Sequence, residues 1–198
     1  MRHSCRNQRR LAVNILLIRH GMTAGNLEKR YIGTTDEPLC EFGIKQLSSC
    51  RYPQCEILIS SPMRRCLETA SLLFHNQELH VYDDFRECNF GDFEGGCYQE
   101  LNGNPTYQAW IDSGGTIAFP NGEHPQEFRE RCCNAFLNSV QDYADAQSIA
   151  FIVHGGTIMS ILDKFAVPHH DYYDWMTENG HGWRCLFAHN IISILEKL

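Results

Sequence analysis

The stretch Leu16-Leu17-Ile18-Arg19-His20-Gly21-Met22-Thr23-Ala24-Gly25-Asn26 runs from three aliphatic residues straight into a cation, an imidazole and a glycine. An apolar run that stops this abruptly reads as a buried strand with its carboxyl end at a site, because open α/β sheets place ligands there. Gly21 would let the backbone turn away and let an anion approach it closely. Taken alone, Arg19-His20-Gly21 is also compatible with ordinary surface residues at a strand end. Upstream, Arg2, Arg6, Arg9 and Arg10 precede the run LAVNILLI, an order shared with secretory signals. The run is broken by Asn14 and passes into Arg19 and His20 with no small-residue cleavage site, so it reads as a core strand after a loose tail over 1–13.

Working outward, Glu56 to Ile59, Leu79 to Tyr82 and Ser148 to Val153 join Asn14 to Ile18 as short apolar strands. Between them, Glu41 to Arg51, Pro62 to His75, Pro125 to Tyr143 and Thr157 to Phe165 carry apolar residues at helical spacing. Pro62 and Pro125 fall where a first helical turn accepts proline. This alternation predicts an α/β fold, a three-layer sandwich with a mainly parallel sheet and helices on both faces. Arg184 to Ala188 and Ile191 to Leu195, joined by His189-Asn190, predict an antiparallel hairpin at the C-terminal edge. The segment from Asn89 to Gly122, rich in Gly, Asn and aromatics, is expected to be an irregular excursion over the active face. Residues 1–198 are expected to form a single domain.

Three more segments start where predicted strands end, and they change the weight given to His20. Ser60-Ser61-Pro62-Met63-Arg64-Arg65 opens a helix with two arginines in its first turn. Cations there oppose the helix dipole, an arrangement that favours a bound anion. Asp84-Phe85-Arg86-Glu87-Cys88-Asn89-Phe90 sets an acid among aromatics, and His154-Gly155-Gly156-Thr157 repeats the His-Gly turn.

These four ordered motifs, spread from about Asn14 to about Ile161, resemble the histidine phosphatase superfamily, the clan of cofactor-dependent phosphoglycerate mutase, fructose-2,6-bisphosphatase and α-ribazole phosphatase. The resemblance implies catalytic roles for His20, Glu87, Arg19, Arg65 and His154, with Thr23, Asn26 and the Gly155 amide completing a phosphate cradle. The family's arginine falls on Arg65 rather than Arg64. Departures are His124 where a serine is frequent and Cys66 where alanine is usual. The implied chemistry is hydrolysis of a small phosphate monoester. His20 attacks phosphorus to give a phosphohistidine, Arg19, Arg65 and His154 offset the negative charge, and Glu87 acts as acid and then base. No metal and no cofactor are called for.

The stretch Arg30 to Leu39 resembles the bacterial α-ribazole phosphatases, which makes α-ribazole 5′-phosphate a candidate substrate, although the same residues also make a turn before a helix. The alternatives are phosphoglycerate mutase-type phosphoryl transfer, a non-catalytic phospho-ligand binding module that would be expected to lose His20 or Glu87, and a metal-dependent hydrolase built on His169, His170 and Asp171. Between Cys88 and Val153 the arginines are Arg129 and Arg131, few for a mutase that must grip a substrate carboxylate. Bland readings also exist: Glu87 as an ion-pair partner of Arg86 or Arg65, His154 as a satisfied helix-start histidine, and His124 as a solvated one.

Composition narrows the partners. A net charge of -7 disfavours nucleic acid and anionic membranes, and requires any phosphate pocket to be a local positive funnel in an acidic body. The ten cysteines include no CxxC pair and read as reduced, mostly structural thiols, consistent with a cytoplasmic protein. The expected partner is a small phosphorylated metabolite, and nothing in the sequence fixes the oligomeric state.

Overall fold

A computed structural model describes residues 12–198; Met1–Leu11, most of the expected tail, lie outside the described residues, and Val13 already belongs to the first strand. Six strands form one sheet in the order β3-β2-β4-β1-β5-β6. They are β1 (Val13–Arg19), β2 (Ile57–Ser60), β3 (Leu79–Val81), β4 (Ser148–Val153), β5 (Gly182–Ala188) and β6 (Ile191–Lys197). The first four are mutually parallel, and β5 and β6 add an antiparallel edge. His189 and Asn190 make the hairpin turn with φ of 53° and 60°. Two consecutive left-handed residues are the type I′ geometry whose twist matches the flanking strands.

Because strand side chains alternate, β1 serves two cores. Ile15 and Leu17 pack on one face with Phe136, Ile158 and Leu162, and Leu16 and Ile18 pack on the other with Cys66, Ala70 and Phe74. The helices are α1 (Ala24–Leu27), α2 (Glu41–Ser49), α3 (Arg64–Leu73), α4 (Tyr98–Leu101), α5 (Pro105–Asp112), α6 (Pro125–Asp142) and α7 (Gly155–Phe165). Pro125 occupies the first helical position of α6 as expected, and the stripe Phe128, Cys132, Phe136 and Val140 is buried at a spacing of four. Truncating Phe136, which is fully buried, to alanine costs about 3–5 kcal/mol.

Three local expectations are corrected. Helix α3 starts at Arg64 rather than Pro62, because the Arg64 amide finds its acceptor in Asp36 Oδ1 at 2.7 Å and Met63 takes the N-cap position. The anion at this helix start is therefore the Asp36 carboxylate from a distant loop. Helix α7 starts at Gly155 rather than Thr157, with His154 in extended conformation as its N-cap. The excursion from Asn89 to Gly122 contains α4 and α5, the latter capped by Asn104 with Pro105 at its first position. That Asn-Pro pair is a start signal legible in the sequence. Its aromatics pack into a third, smaller core around Phe93, Tyr107 and Phe119.

Candidate active site

β1 and β4 are neighbours in register, Arg19 opposite Val153, and the His20 amide donates to Val153 O at 2.9 Å. The residues that follow the two strands must therefore lie side by side, and the His20 and His154 rings stand 5.2 Å apart, edge to face at 66°. His20 Nδ1 lies 2.7 Å from Gly21 O. A carbonyl only accepts, so Nδ1 carries the proton and Nε2 keeps a free lone pair. Burial, and then the charges of Arg65 and Arg19, hold the His20 pKa well below its usual value, so the ring is neutral at pH 7. Gly21 serves packing more than turning: a Cβ there would stand 2.6 Å from the Leu47 side chain.

His154 is fully buried. Arg65 Nε donates to its Nδ1 at 3.4 Å, so its Nε2 bears the proton and donates to Ser61 Oγ at 2.9 Å. Its pKa is also held well below the usual value, by burial first and then by Arg65. This differs from the expectation of a cationic phosphate ligand: in this geometry His154 is neutral and its nitrogens belong to protein partners. The positive charge comes from arginines. Arg65 is fully buried and donates to the carbonyls of Thr35 at 2.8 Å and Gly33 at 3.0 Å, while Arg64 is exposed and paired with Glu68. Arg19 donates through Nη1 to Thr177 O at 2.8 Å, and its buried Nε has no acceptor among the described residues. Burial lowers the Arg19 pKa from its ordinary value. The positive funnel expected of an acidic body is thus Arg19 and Arg65 around His20.

Glu87 reaches the same place from the far side. Its Oε1 accepts from the Cys88 amide at 2.9 Å, and its Oε2 from the Gly156 amide at 3.4 Å. A Cβ on residue 156 would stand 2.6 Å from Glu87 Oε1 and 2.9 Å from the Phe128 ring, so a larger residue there would displace the carboxylate or the ring. Burial raises the Glu87 pKa and outweighs the two amides and two arginines that lower it. The ion-pair reading fails: Arg86 pairs with Asp83, and among the described residues no salt bridge includes Glu87. Gly155 lines the cavity beside Arg19 at the start of α7, where first-turn amides lack helical acceptors.

Thr23 and Asn26 form a capping box on α1, each side chain accepting from the other's amide, and Thr23 is fully buried. Asn26 Oδ1 also accepts from Asn179, whose Nδ2 lies 3.1 Å from His20 O. Nothing in the sequence pointed to Asn179 or Thr177, which arrive from the loop before β5. His124 caps α6 by accepting from the Gln126 amide at 3.1 Å and is not merely solvated. Cys66, fully buried, lies 3.6 Å from His154 Nε2, and burial pushes its thiol up to about 12. His169 faces Asp163, and His170 meets Trp175 edge to face at 86°.

A sequence profile of the histidine phosphatase superfamily, branch 1, matches residues 15–190. The chain belongs to that superfamily. This histidine phosphatase is 25% identical to the adenosylcobalamin/alpha-ribazole phosphatase of Salmonella typhimurium over 177 residues, 85% of this chain and 87% of the other. It is 28% identical over 160 residues to the phosphatase PhoE of Bacillus subtilis, 77% of each chain. Its fold superposes on the alpha-ribazole phosphatase from Shigella flexneri with a TM-score of 0.83, at 22% identity and covering 93% and 96% of the two chains. Among the described residues of this histidine phosphatase, no helix is long and apolar enough to cross a membrane.

Proposed function

We propose that this chain hydrolyses a small phosphate monoester through a phosphohistidine on His20. The observation that carries the reading is the His20 tautomer: with Nδ1–H committed to Gly21 O, the Nε2 lone pair is free beside the half-buried Arg19 and the fully buried Arg65. Arg19, with an Nε–H that no group among the described residues accepts, and Arg65 lower the repulsion an anionic ester would present to a nucleophile. Nε2 attacks phosphorus in line, and the P–O bond to the alcohol breaks. Glu87, whose pKa burial raises, acts in its protonated form and gives that proton to the departing alkoxide. The resulting carboxylate takes a proton from water as the oxygen attacks the phosphohistidine, which releases inorganic phosphate and restores His20 and Glu87. Gly155, Thr23 and Asn26 are proposed to shape the cradle, the last two by fixing the turn after His20.

Hydrolysis is favoured over mutase-type transfer by the fate of two arginines. Arg131 is tied to Glu123 and to the Asp84 and Arg86 carbonyls, and Arg129 lies over the Tyr172 ring at 3.8 Å, near Asp163. Neither is an uncommitted cation for a substrate carboxylate. A cavity of about 480 Å³ beside Arg19 and Glu87 is walled by Tyr31, Phe90, Trp110, Phe119 and Phe128, which suits a leaving group with a flat apolar part. Together with the relatives' names, this makes α-ribazole 5′-phosphate the first ester to assay. A single domain and a cytoplasmic setting are the accompanying proposals, supported by one continuous sheet and by free thiols throughout the described residues.

The test is a panel of phosphate esters with EDTA present, followed by denaturing quench without acid during turnover. A phosphoryl group that is acid-labile, base-stable and absent from His20→Ala is expected. A folded His20→Ala protein with near-normal turnover overturns the mechanism, and a wild-type protein that binds phosphate but turns over no ester favours a binding module.

A further inference from the structure

Arg65 can serve as a phosphate ligand only if its buried guanidinium is held still, and what holds it is backbone. Its NH groups end on Thr35 O, Gly33 O and Ile32 O, at 2.8, 3.0 and 3.4 Å. Residues 32–35 form no helix or strand, so the direction of those carbonyls depends on what fixes the amides between them. Both the Gly33 and the Thr35 amide donate to one atom, Glu94 Oε1, at 2.8 and 2.9 Å. The other oxygen, Glu94 Oε2, is buried with no donor of its own among the described residues. The same backbone is pressed against the acid-bearing loop, since a Cβ on residue 33 would stand 1.9 Å from Cys88 O and 3.0 Å from Glu94 Oε2.

We propose that Glu94 is a positioning residue for the phosphate site: its carboxylate clamps the Gly33 and Thr35 amides so that the neighbouring carbonyls aim the Arg65 guanidinium at the anion. The inference rests on Arg65 being a phosphate ligand, as proposed above. Glu94 touches no substrate in this account and acts through the segment 32–35. Glu68 provides an internal contrast. It also accepts from a loop amide, Leu39 at 2.8 Å, but that loop position offers no carbonyl to Arg65.

The experiment reads the affinity for inorganic phosphate by calorimetry, alongside its competitive inhibition constant. Glu94→Ala is expected to weaken phosphate binding by about tenfold or more, the scale of one weakened hydrogen bond to a charged group. Glu94→Gln keeps an oxygen acceptor at the same reach and is expected to stay close to wild type. Glu68→Ala is expected to lower thermal stability without changing phosphate affinity. Because Glu94 acts through Arg65, the double variant Glu94→Ala/Arg65→Ala is expected to bind phosphate no more weakly than Arg65→Ala alone. If Glu94→Ala does not fold, Glu94→Asp, one methylene too short to reach both amides, is held to the same criteria. Wild-type affinity in the Glu94 variant, or additive losses in the double variant, overturns the proposal. An Arg65→Ala protein with unchanged phosphate affinity instead overturns the underlying reading of the site.

Discussion

Where the phosphate is proposed to bind, His20, Arg19 and Arg65 are held by backbone carbonyls, those of Gly21, Thr177 and residues 32–35, and Arg65 in turn donates to His154. Where the leaving group is proposed to lie, Tyr31, Phe90, Trp110 and Phe119 meet edge to face or tilted, with centroids 5.0 to 6.3 Å apart, and depend on one another's side chains. The first kind of construction tolerates little change, because a buried charge that loses its partner is costly. The second resembles a small core, in which one ring can be exchanged for another of similar volume. Under the proposed function, one end suits a fixed chemistry and the other a variable alcohol.

Variants can break or sharpen that contrast. The largest effect belongs to Glu87, which stands between the two ends. Glu87→Gln is expected to slow alkyl phosphates by about a hundredfold to ten-thousandfold and aryl phosphates less, since good leaving groups need no proton. The fall in kcat/KM as pH rises through the raised Glu87 pKa should vanish with it. Equal losses across leaving groups of widely different pKa would give Glu87 another role.

Next is Arg65→Ala, expected to cost about a hundredfold to a thousandfold in kcat for every ester alike, as one lost transition-state donor does. Dependence on the alcohol would erase the division between the ends. Trp110→Ala should do the reverse: about a tenfold loss of kcat/KM for esters of flat aromatic alcohols, with small aliphatic esters unaffected.

The smallest effect concerns stability. His20 and His154 both have folded pKa values well below the unfolded value of about 6.5. Their stabilisation is fully present above that pH and is lost as pH falls below it. Each contributes a slope of up to about 1.4 kcal/mol per pH unit until its folded pKa is reached. Glu87, shifted upward, has the opposite sign: its stabilising contribution is present below pH 4.5 and is lost as pH rises through its folded value. Urea unfolding from pH 7 to pH 5 should show the decline, and His154→Gln should reduce its slope. A flat profile would mean that the imidazoles are not desolvated.

How much was legible follows from distance along the chain. The strand-to-turn motifs at His20 and His154 were visible because a strand end and the residue after it are contiguous, and parallel pairing of β1 with β4 brings the two together without further instruction. The choice of Arg65 over Arg64 came from resemblance, and the structure adds the reason: Arg65 is buried against carbonyls and Arg64 faces solvent. The Arg30 to Leu39 stretch, read as a turn and a hint of specificity, carries Arg65 on its carbonyls and caps α3 through Asp36.

By itself, the sequence determined where the strands end to within two residues, which helices cover the sheet, a hairpin at the C-terminal edge, and the presence of His20, Glu87, Arg19 and Arg65 in one chain. Only the tertiary structure decided the protonation and the company of those groups. The neutral states of His20 and His154 are both set by burial beside Arg65, which arrives from another strand-to-helix turn. The space beside Gly156 is taken by the Glu87 carboxylate, which lies 69 positions away in the chain. Periodicity reports contacts within a few residues, whereas desolvation and hydrogen-bond pairing depend on segments that meet only once the sheet has formed.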